Sequence, residues 1–327
     1  MAGVLGALFA AFPRLRLVGR RMLQIIPVIV LATFVVFGLL KLVPGDLAAT
    51  LAGEYATEER VAQIRAEYGL NDPFLVQYGR WLLNAVQLDL SRSFQSNEPV
   101  LDQILHRFPT TMLLVCGALL ISLSVGVPLG ILAATRAGSR LDMIVTSIAS
   151  FGVALPNFWL AMILVATLSL SWNWFPATGA VRFASDPQGA IWHAVLPSIA
   201  LAAGGIAEVV RQLRSALIEI LSSQYVRTLY AKGLSPVAIL WKHGLKNVAV
   251  TLLTVIGLLA SRLLGGAVVI EAVFAIPGMG SMVVRAAIVK DFPVVQGVVF
   301  TMVILVIAIN MVIDLLYTVV DPRVALK

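Results

Sequence analysis

Charge and cysteine are both scarce in this chain of 327 residues. Only 13% of its residues are Asp, Glu, Lys or Arg, against about 25% in soluble globular domains, while hydrophobic residues make up 59%. So few charges cannot clothe a soluble core, and the mean hydropathy of +0.94 agrees. The composition describes an integral membrane protein. The one cysteine, Cys116, excludes an internal disulfide framework and a cysteine-based zinc site. Three histidines, His106, His193 and His243, stand far apart in loops or at span ends, so no cluster has metal-ligand spacing.

Catalytic signatures are missing too. No G-x-x-x-x-G-K-[ST] loop occurs, so the chain does not cradle ATP in that manner. Pro277-Gly278-Met279-Gly280 holds a G-x-G, but Val283 takes the third glycine position, which reads as a turn. No serine or cysteine has a base beside it in sequence, and no paired carboxylates share a helix face. An enzyme active site is unsupported. Uphill transport by such a chain would draw on an ion gradient or on another subunit.

What is present is a set of long apolar runs. A helix needs about 20 mostly apolar residues to cross the hydrocarbon. Six stretches qualify: 22–40, 110–134, 143–171, 195–210, 248–270 and 294–320. The third contains Pro156-Asn157 and is expected to kink there, because proline removes a backbone hydrogen bond. The fold expected is an all-α membrane protein with six transmembrane helices and both termini on one side. That side carries fourteen Lys and Arg, among them Arg14, Arg16, Arg20, Arg21, Arg136 and Arg140, against four acidic residues, Asp142, Glu208, Glu219 and Asp321. The other side carries nine basic residues and twelve acidic ones. By the positive-inside rule both termini are cytoplasmic, and the net charge of +7 is a topology signal rather than a nucleic-acid patch. The apolar run 3–12 is too short to span and its charges follow it, unlike a signal peptide. Residues 1–21 read as a cytoplasmic tail with an interfacial segment, and 321–327 as a second tail.

Two loops exceed what a connector needs. Residues 43–108 form an outer cap with two helical patterns. The first covers 57–68, with Thr57 as N-cap and Val61, Ile64 and Tyr68 at helical spacing. The second, 74–86, follows the turn Asn71-Asp72-Pro73. Such a cap either receives something from outside or braces the first two spans.

Residues 211–246 form the other loop, on the cytoplasmic side. A continuous helix is expected over 211–230, broken at Gly233 and restarted by Ser235 as N-cap with Pro236 at the first helical position. The second helix, 236–243, is expected to stop at Gly244. With basic residues from Arg227 to Lys246, this hairpin either docks a cytoplasmic partner or lies on anionic lipid.

Ionisable residues inside the spans are few. Arg262, in the outer part of span five, and Asp314, in the inner part of span six, are the two read as well inside. They differ in depth by roughly 10 Å at 1.5 Å per residue, so they are not expected to pair. Arg262 should face a cavity, where it would suit an anionic or carboxylate-bearing solute, a structural partner in another subunit, or a lipid headgroup to which it can snorkel. Small residues mark expected close helix contacts: Gly126 with Gly130, Gly204-Gly205 and Gly265-Gly266.

Several stretches resemble the inner-membrane permease subunit of ABC importers of the dipeptide/oligopeptide/nickel class. The run Gln224-Tyr-Val-Arg-Thr-Leu-Tyr-Ala-Lys-Gly-Leu-Ser-Pro236, continuing to His243-Gly-Leu-Lys-Asn247, is similar to that family's ATPase-facing loop. Further matches are Leu42-Val-Pro-Gly-Asp46, Tyr68-Gly-Leu-Asn-Asp-Pro73, Leu155-Pro-Asn-Phe-Trp159, Gly265 through Glu271, Phe274 through Gly280, Asp291 through Gly297, and Asn310 through Asp321-Pro-Arg323.

The resemblance implies a type I importer permease fold in a bacterial inner membrane, with an ordered extracytoplasmic cap and a cytoplasmic coupling helix. Tyr225, Arg227, Ala231, Lys232, Gly233, Leu234 and His243 would then face the ATPase. The implied partners are two ATP-binding subunits, a second homologous permease, an extracytoplasmic solute-binding protein and membrane lipid, with ATP and magnesium held by the ATPases and no cofactor on this chain. The implied cargo is small peptides, with nickel complexes or glutathione as alternatives and an autonomous ion-coupled carrier as the rival class. Leu229-Tyr230 departs from the family's Ala-Arg, and Leu88-Asp-Leu-Ser91 departs from its Gly-Asp-Leu-Gly turn.

Overall fold

A computed structural model describes residues 13–42, 47–52 and 56–320. The run 3–12, the Pro-Gly turn within 43–46 and the segment 321–327 lie outside the described residues. All regular structure among the described residues is helical. The first group is α1 (Pro13–Lys41), α2 (Leu47–Ala52), α3 (Glu58–Glu67) and α4 (Phe74–Val86). The bundle continues with α5 (Val100–Thr135), α6 (Arg140–Ala154) and α7 (Asn157–Leu164), the last running on as a π-helical turn, Val165–Ser171. Next come α8 (Pro187–Leu221), α9 (Gln224–Ala231) and α10 (Pro236–Ala238), which passes through a second π turn, Ile239–Gly244, into α11 (Leu245–Val273). The last elements are α12 (Met279–Ile288) and α13 (Phe292–Val320).

Among the described residues, four helices are each long and apolar enough to cross a membrane: α5, α8, the continuous Pro236–Val273 helix and α13. The stretch 143–171 breaks at Pro156-Asn157, as its kink is expected to, into α6 and α7, with α7 and its π turn bent by 99° from α6. Proline explains the break. It pushes the residue before it out of the helical region, and Leu155 sits at φ −80, ψ 126.

α8 lies at the centre, packed against α5, α6, α7 and α11. Small residues let the axes approach. A Cβ on Gly126 of α5 would fall 2.8 Å from Val209, and one on Gly130 would fall 3.2 Å from Leu213. On α8, a Cβ at Gly205 would meet Ser122 Oγ at 2.5 Å. Gly266 is similarly close to Leu201, whereas Gly265 has open space beside it. The core between these helices is formed by Leu114, Leu196, Leu201, Val209, Leu259 and Ile270, all buried.

Two buried carboxylates tie the ends of elements together. Glu271, fully buried near the end of α11, accepts Thr111 Oγ1 of α5 at 2.6 Å and the Ser281 N–H at 2.8 Å. Thr111 in turn accepts the Met279 N–H at 2.8 Å. The first turn of α12 therefore has its free amides capped by α5 and α11, and the carboxylate lies where the helix dipole favours it. Gly278 is required beside it, since a Cβ there would lie 2.2 Å from the Glu271 carboxyl. Asp291, also buried, accepts Ser93 Oγ at 2.5 Å and the Phe94 N–H at 3.0 Å. It fastens the loop before α5 to the start of α13.

The 56–99 segment begins as the local sequence signals require. Thr57 Oγ1 accepts the Arg60 N–H at 3.4 Å, and α4 spans Phe74–Val86. Residues Phe74, Tyr78 and Trp81 recur at helical spacing and make one aromatic face. Tyr78 stacks edge-on against Phe34 at 5.2 Å, Trp81 against Phe300 at 5.9 Å, and Tyr78 Oη donates to the Val30 carbonyl at 2.9 Å. α4 thus packs on α1 and α13, the first and last long helices, and shares a buried cluster with Val100 and Ile104 of α5.

The turn in Leu88-Asp-Leu-Ser91 forms without its glycines. Leu88 takes φ 65 and Ser91 φ 66, a region costing non-glycine residues roughly 1–2 kcal/mol each. Leu88 is 65% exposed, so little packing opposes replacement. Leu88→Gly and Ser91→Gly are each expected to stabilise the solubilised protein by about 0.5–1 kcal/mol after the entropy of the unfolded glycine is set against the relieved strain. A thermal melt of the purified single variants checks this.

Candidate functional site

The helical hairpin between α8 and α11 is built from local signals. A continuous helix over 211–230 does not form: α8 ends at Leu221, and Ser223 opens α9 by accepting the Val226 N–H at 3.4 Å. Adjacent serines offer the backbone a competing partner, which a reading of apolar periodicity overlooks. α9 closes on Gly233, whose φ of +80 suits only glycine at low cost. The closing bonds run from Gly233 N–H to Tyr230 O at 2.9 Å and from Leu234 N–H to Leu229 O at 3.2 Å. Ser235 Oγ then accepts the Ala238 N–H at 3.3 Å, with Pro236 at the first helical position.

Gly244 does not stop the second helix. It is helical, with φ −61, and buried where a Cβ would rest 3.6 Å from Leu217 and 3.7 Å from Leu221. Its smallness serves packing against α8, and the helix runs on into α11. Val226 and Ile239 anchor the hairpin from below, both buried. Tyr225 Oη lies 2.7 Å from His243 Nδ1, so the start of α9 and the second π turn are pinned across 18 residues of chain.

The seven residues singled out in this hairpin therefore divide. Tyr225 and His243 hold it together. Arg227, Ala231, Lys232 and Gly233 lie on its exposed surface, with Leu234 half-buried. Two residues not singled out share that surface, Val237 (66% exposed) and Trp241 (62%). The signal for Trp241 was an indole in an otherwise basic loop.

Before the hairpin, α8 is braced to the first turn of α6. Arg214 of α8 donates from Nε to Asp142 Oδ1 at 2.5 Å and from Nη2 to Oδ2 at 2.7 Å. Asp142 is 2% exposed and also accepts the Gly138 N–H at 2.8 Å. Spacing gave no hint of this pair.

Arg262 has its partner within the same chain. Its Nη1 and Nη2 donate to the two carboxylate oxygens of Glu208 on α8, the second at 3.1 Å. This corrects the expectation of a partner in another subunit and the count of two ionisable residues inside the spans. An apolar run that closes at 210 puts Glu208 at the inner edge, whereas α8 continues to Leu221.

Residues 126–326 match the family described as binding-protein-dependent transport system inner membrane component. Residues 14–115 match the N-terminal part of the same kind of membrane component. The chain belongs to this family. Within the family, a Brucella suis protein is 42% identical over 308 residues, spanning 94% of this chain and 98% of its own length. The oligopeptide transport system permease protein AppB of Bacillus subtilis is 35% identical, covering 93% of this chain and 98% of its own. The dipeptide transport system permease protein DppB of Escherichia coli is 35% identical, covering 96% and 99%.

In fold, this family member is similar to a chain of the MetNI methionine ABC transporter in an inward-facing conformation. The TM-score is 0.55 over 68% of this chain and 99% of that one, at 21% identity. The permease is thus a helical inner-membrane component, and its role in the family is not an enzymatic one.

Proposed function

We propose that this chain is a permease subunit of an ATP-driven importer of small peptides, forming half of the translocation pathway beside a second homologous permease. Its relatives AppB and DppB carry oligopeptide and dipeptide transport in their names, which favours peptides over nickel complexes or glutathione. Two ATP-binding subunits would supply the energy, holding ATP and magnesium themselves, and a solute-binding protein would deliver cargo to the extracytoplasmic cap of 43–108. In this arrangement α1, α5, the α6–α7 pair, α8, α11 and α13 are the six spans of an inner-membrane protein with both termini cytoplasmic. Lipid surrounds them, and nucleic acid has no part.

The observation that carries the reading is the hairpin of α9 and α10. It presents Arg227, Lys232 and Gly233 at an exposed tip, yet it is fixed at both roots to long helices. Such a lever passes a push from a soluble partner into α8 and α11. Residues 211–246 are its coupling loop, with Tyr225, Arg227, Ala231, Lys232, Gly233, Leu234 and His243 as the coupling residues.

Tagging the chain in its native membrane and purifying it in mild detergent tests the assembly. Recovery of a second permease and nucleotide-binding subunits is expected. Recovery of the chain alone, active in liposomes under an ion gradient, would replace the importer with a secondary carrier.

A further inference from the structure

Arg262 sits well inside α11, yet its side chain is 63% exposed while that of Glu208 is only 9% exposed. The face it occupies is unlike a lipid-facing one. The exposed line along α11 reads Thr251, Thr254, Leu258, Arg262, Gly265 and Val269. The exposed faces of α6 and α7 carry bulkier apolar side chains, Ile144, Ile148, Phe151, Trp159 and Met162, beside Ser147 and Ser150. A guanidinium is costly in hydrocarbon, and intramembrane ionisable groups face a water-filled path or protein.

The manner of pairing matters more than the pairing itself. Glu208 takes Arg262 end-on, through Nη1 and Nη2. Those two bonds use only the Nη nitrogens, and the side chain that carries Nε is 63% exposed. The Nε edge is itself a two-pronged carboxylate receptor, and this same protein uses it at Arg214, where Nε and Nη2 hold Asp142 at 2.5 and 2.7 Å. Glu208 has a second effect. By neutralising the pair it keeps an arriving anion from being held too tightly, and passage needs a site that releases what it binds.

We propose that Arg262, oriented end-on by Glu208, is a transit site for the carboxylate of the solute, reading the free C-terminus of a peptide as it passes. Glu208 is the positioning residue that sets the edge presented and limits the affinity. The inference rests on the permease reading given above.

Charge-selective labelling in the assembled importer tests it. Cys116 is exposed and is first replaced by Cys116→Ser. Leu258→Cys and Gly265→Cys, about one turn to either side of Arg262, then report the local potential. Gly265 has open space for the new side chain. The probes are the anionic 2-sulfonatoethyl and the cationic 2-(trimethylammonium)ethyl methanethiosulfonates. The ratio of anionic to cationic labelling rates is expected to fall roughly five-fold with Arg262→Gln and to rise with Glu208→Gln. Because a single neutralisation leaves the other charge unpaired, the double variant Glu208→Gln/Arg262→Gln is measured as well. Its uptake of alanyl-alanine relative to alanyl-alanine amide is compared with the unsubstituted importer using one binding protein, so that protein's own preference cancels. Loss of the preference for the free acid supports the site. Thiols that stay unlabelled in every nucleotide state would overturn it, as would an unchanged labelling ratio or an unchanged acid-to-amide ratio. Failure of the permease reading looks different: no ATP-driven uptake by the purified assembly carrying the unsubstituted chain.

Discussion

Gly233→Pro abolishes ATP-driven uptake while the chain stays in the membrane at its normal abundance. Proline fixes φ near −65°, whereas Gly233 stands at +80, and it removes the N–H that donates to Tyr230 O. The turn between α9 and α10 cannot close in that form. The long helices do not depend on this turn, so insertion is spared. Arg227→Glu is the gentler companion: the residue is exposed on α9, and its reversal leaves the hairpin bonds in place. Both variants are expected to lose uptake by at least roughly ten-fold, with basal ATP hydrolysis by the partner subunits retained and its stimulation by loaded binding protein lost. Reversing one charge at a docking surface commonly costs a few kcal/mol, which is ample for a ten-fold loss. Normal uptake by both would remove the hairpin from the energy path.

Asp142→Ala strongly destabilises the protein. It leaves Arg214 without its partner in a half-buried position and frees the Gly138 N–H, two losses at once. Removing one member of an ion pair leaves the other charge without its partner, and the cost rises with how far that charge is kept from water. The melting temperature of the detergent-solubilised chain should drop clearly. The double variant Asp142→Leu/Arg214→Met, which replaces the pair with apolar side chains, should recover much of the loss. Coupling should suffer in the single variant before folding does, since the pair lies only a few turns of α8 from the hairpin. An unchanged melt in Asp142→Ala would mean that the pair is solvent-screened and does not brace α8.

Features set within a turn or two of chain were legible in the sequence. Thr57 and Ser235 cap helices because a hydroxyl and an amide three residues on are always within reach. The face of Phe74, Tyr78 and Trp81 follows from helical spacing, and Gly126 and Gly130 mark a close contact because nothing else on α5 is as small at that interval. Features set by the register of one helix against another were not legible. Glu208 and Arg262 lie 54 residues apart, and Asp142 and Arg214 lie 72 apart. Their meeting depends on where each helix ends, and the end of α8 was obscured by a polar stretch that continues helical to Leu221. Glu271 and Asp291 stood within recognisable motifs, but their role as fasteners needs partners on α5 and in the 87–99 loop. At Pro156 local chemistry predicts a kink but not its size, which is 99°.

Uptake of a labelled dipeptide into proteoliposomes tests the energy source most directly. The vesicles hold the purified assembly with ATP inside and loaded binding protein outside, and uptake is measured with and without a proton gradient. An importer coupled through α9 and α10 gives uptake that requires ATP, ignores the gradient and disappears with Gly233→Pro. Uptake that follows the gradient and persists when ATP is left out of the vesicles would contradict it.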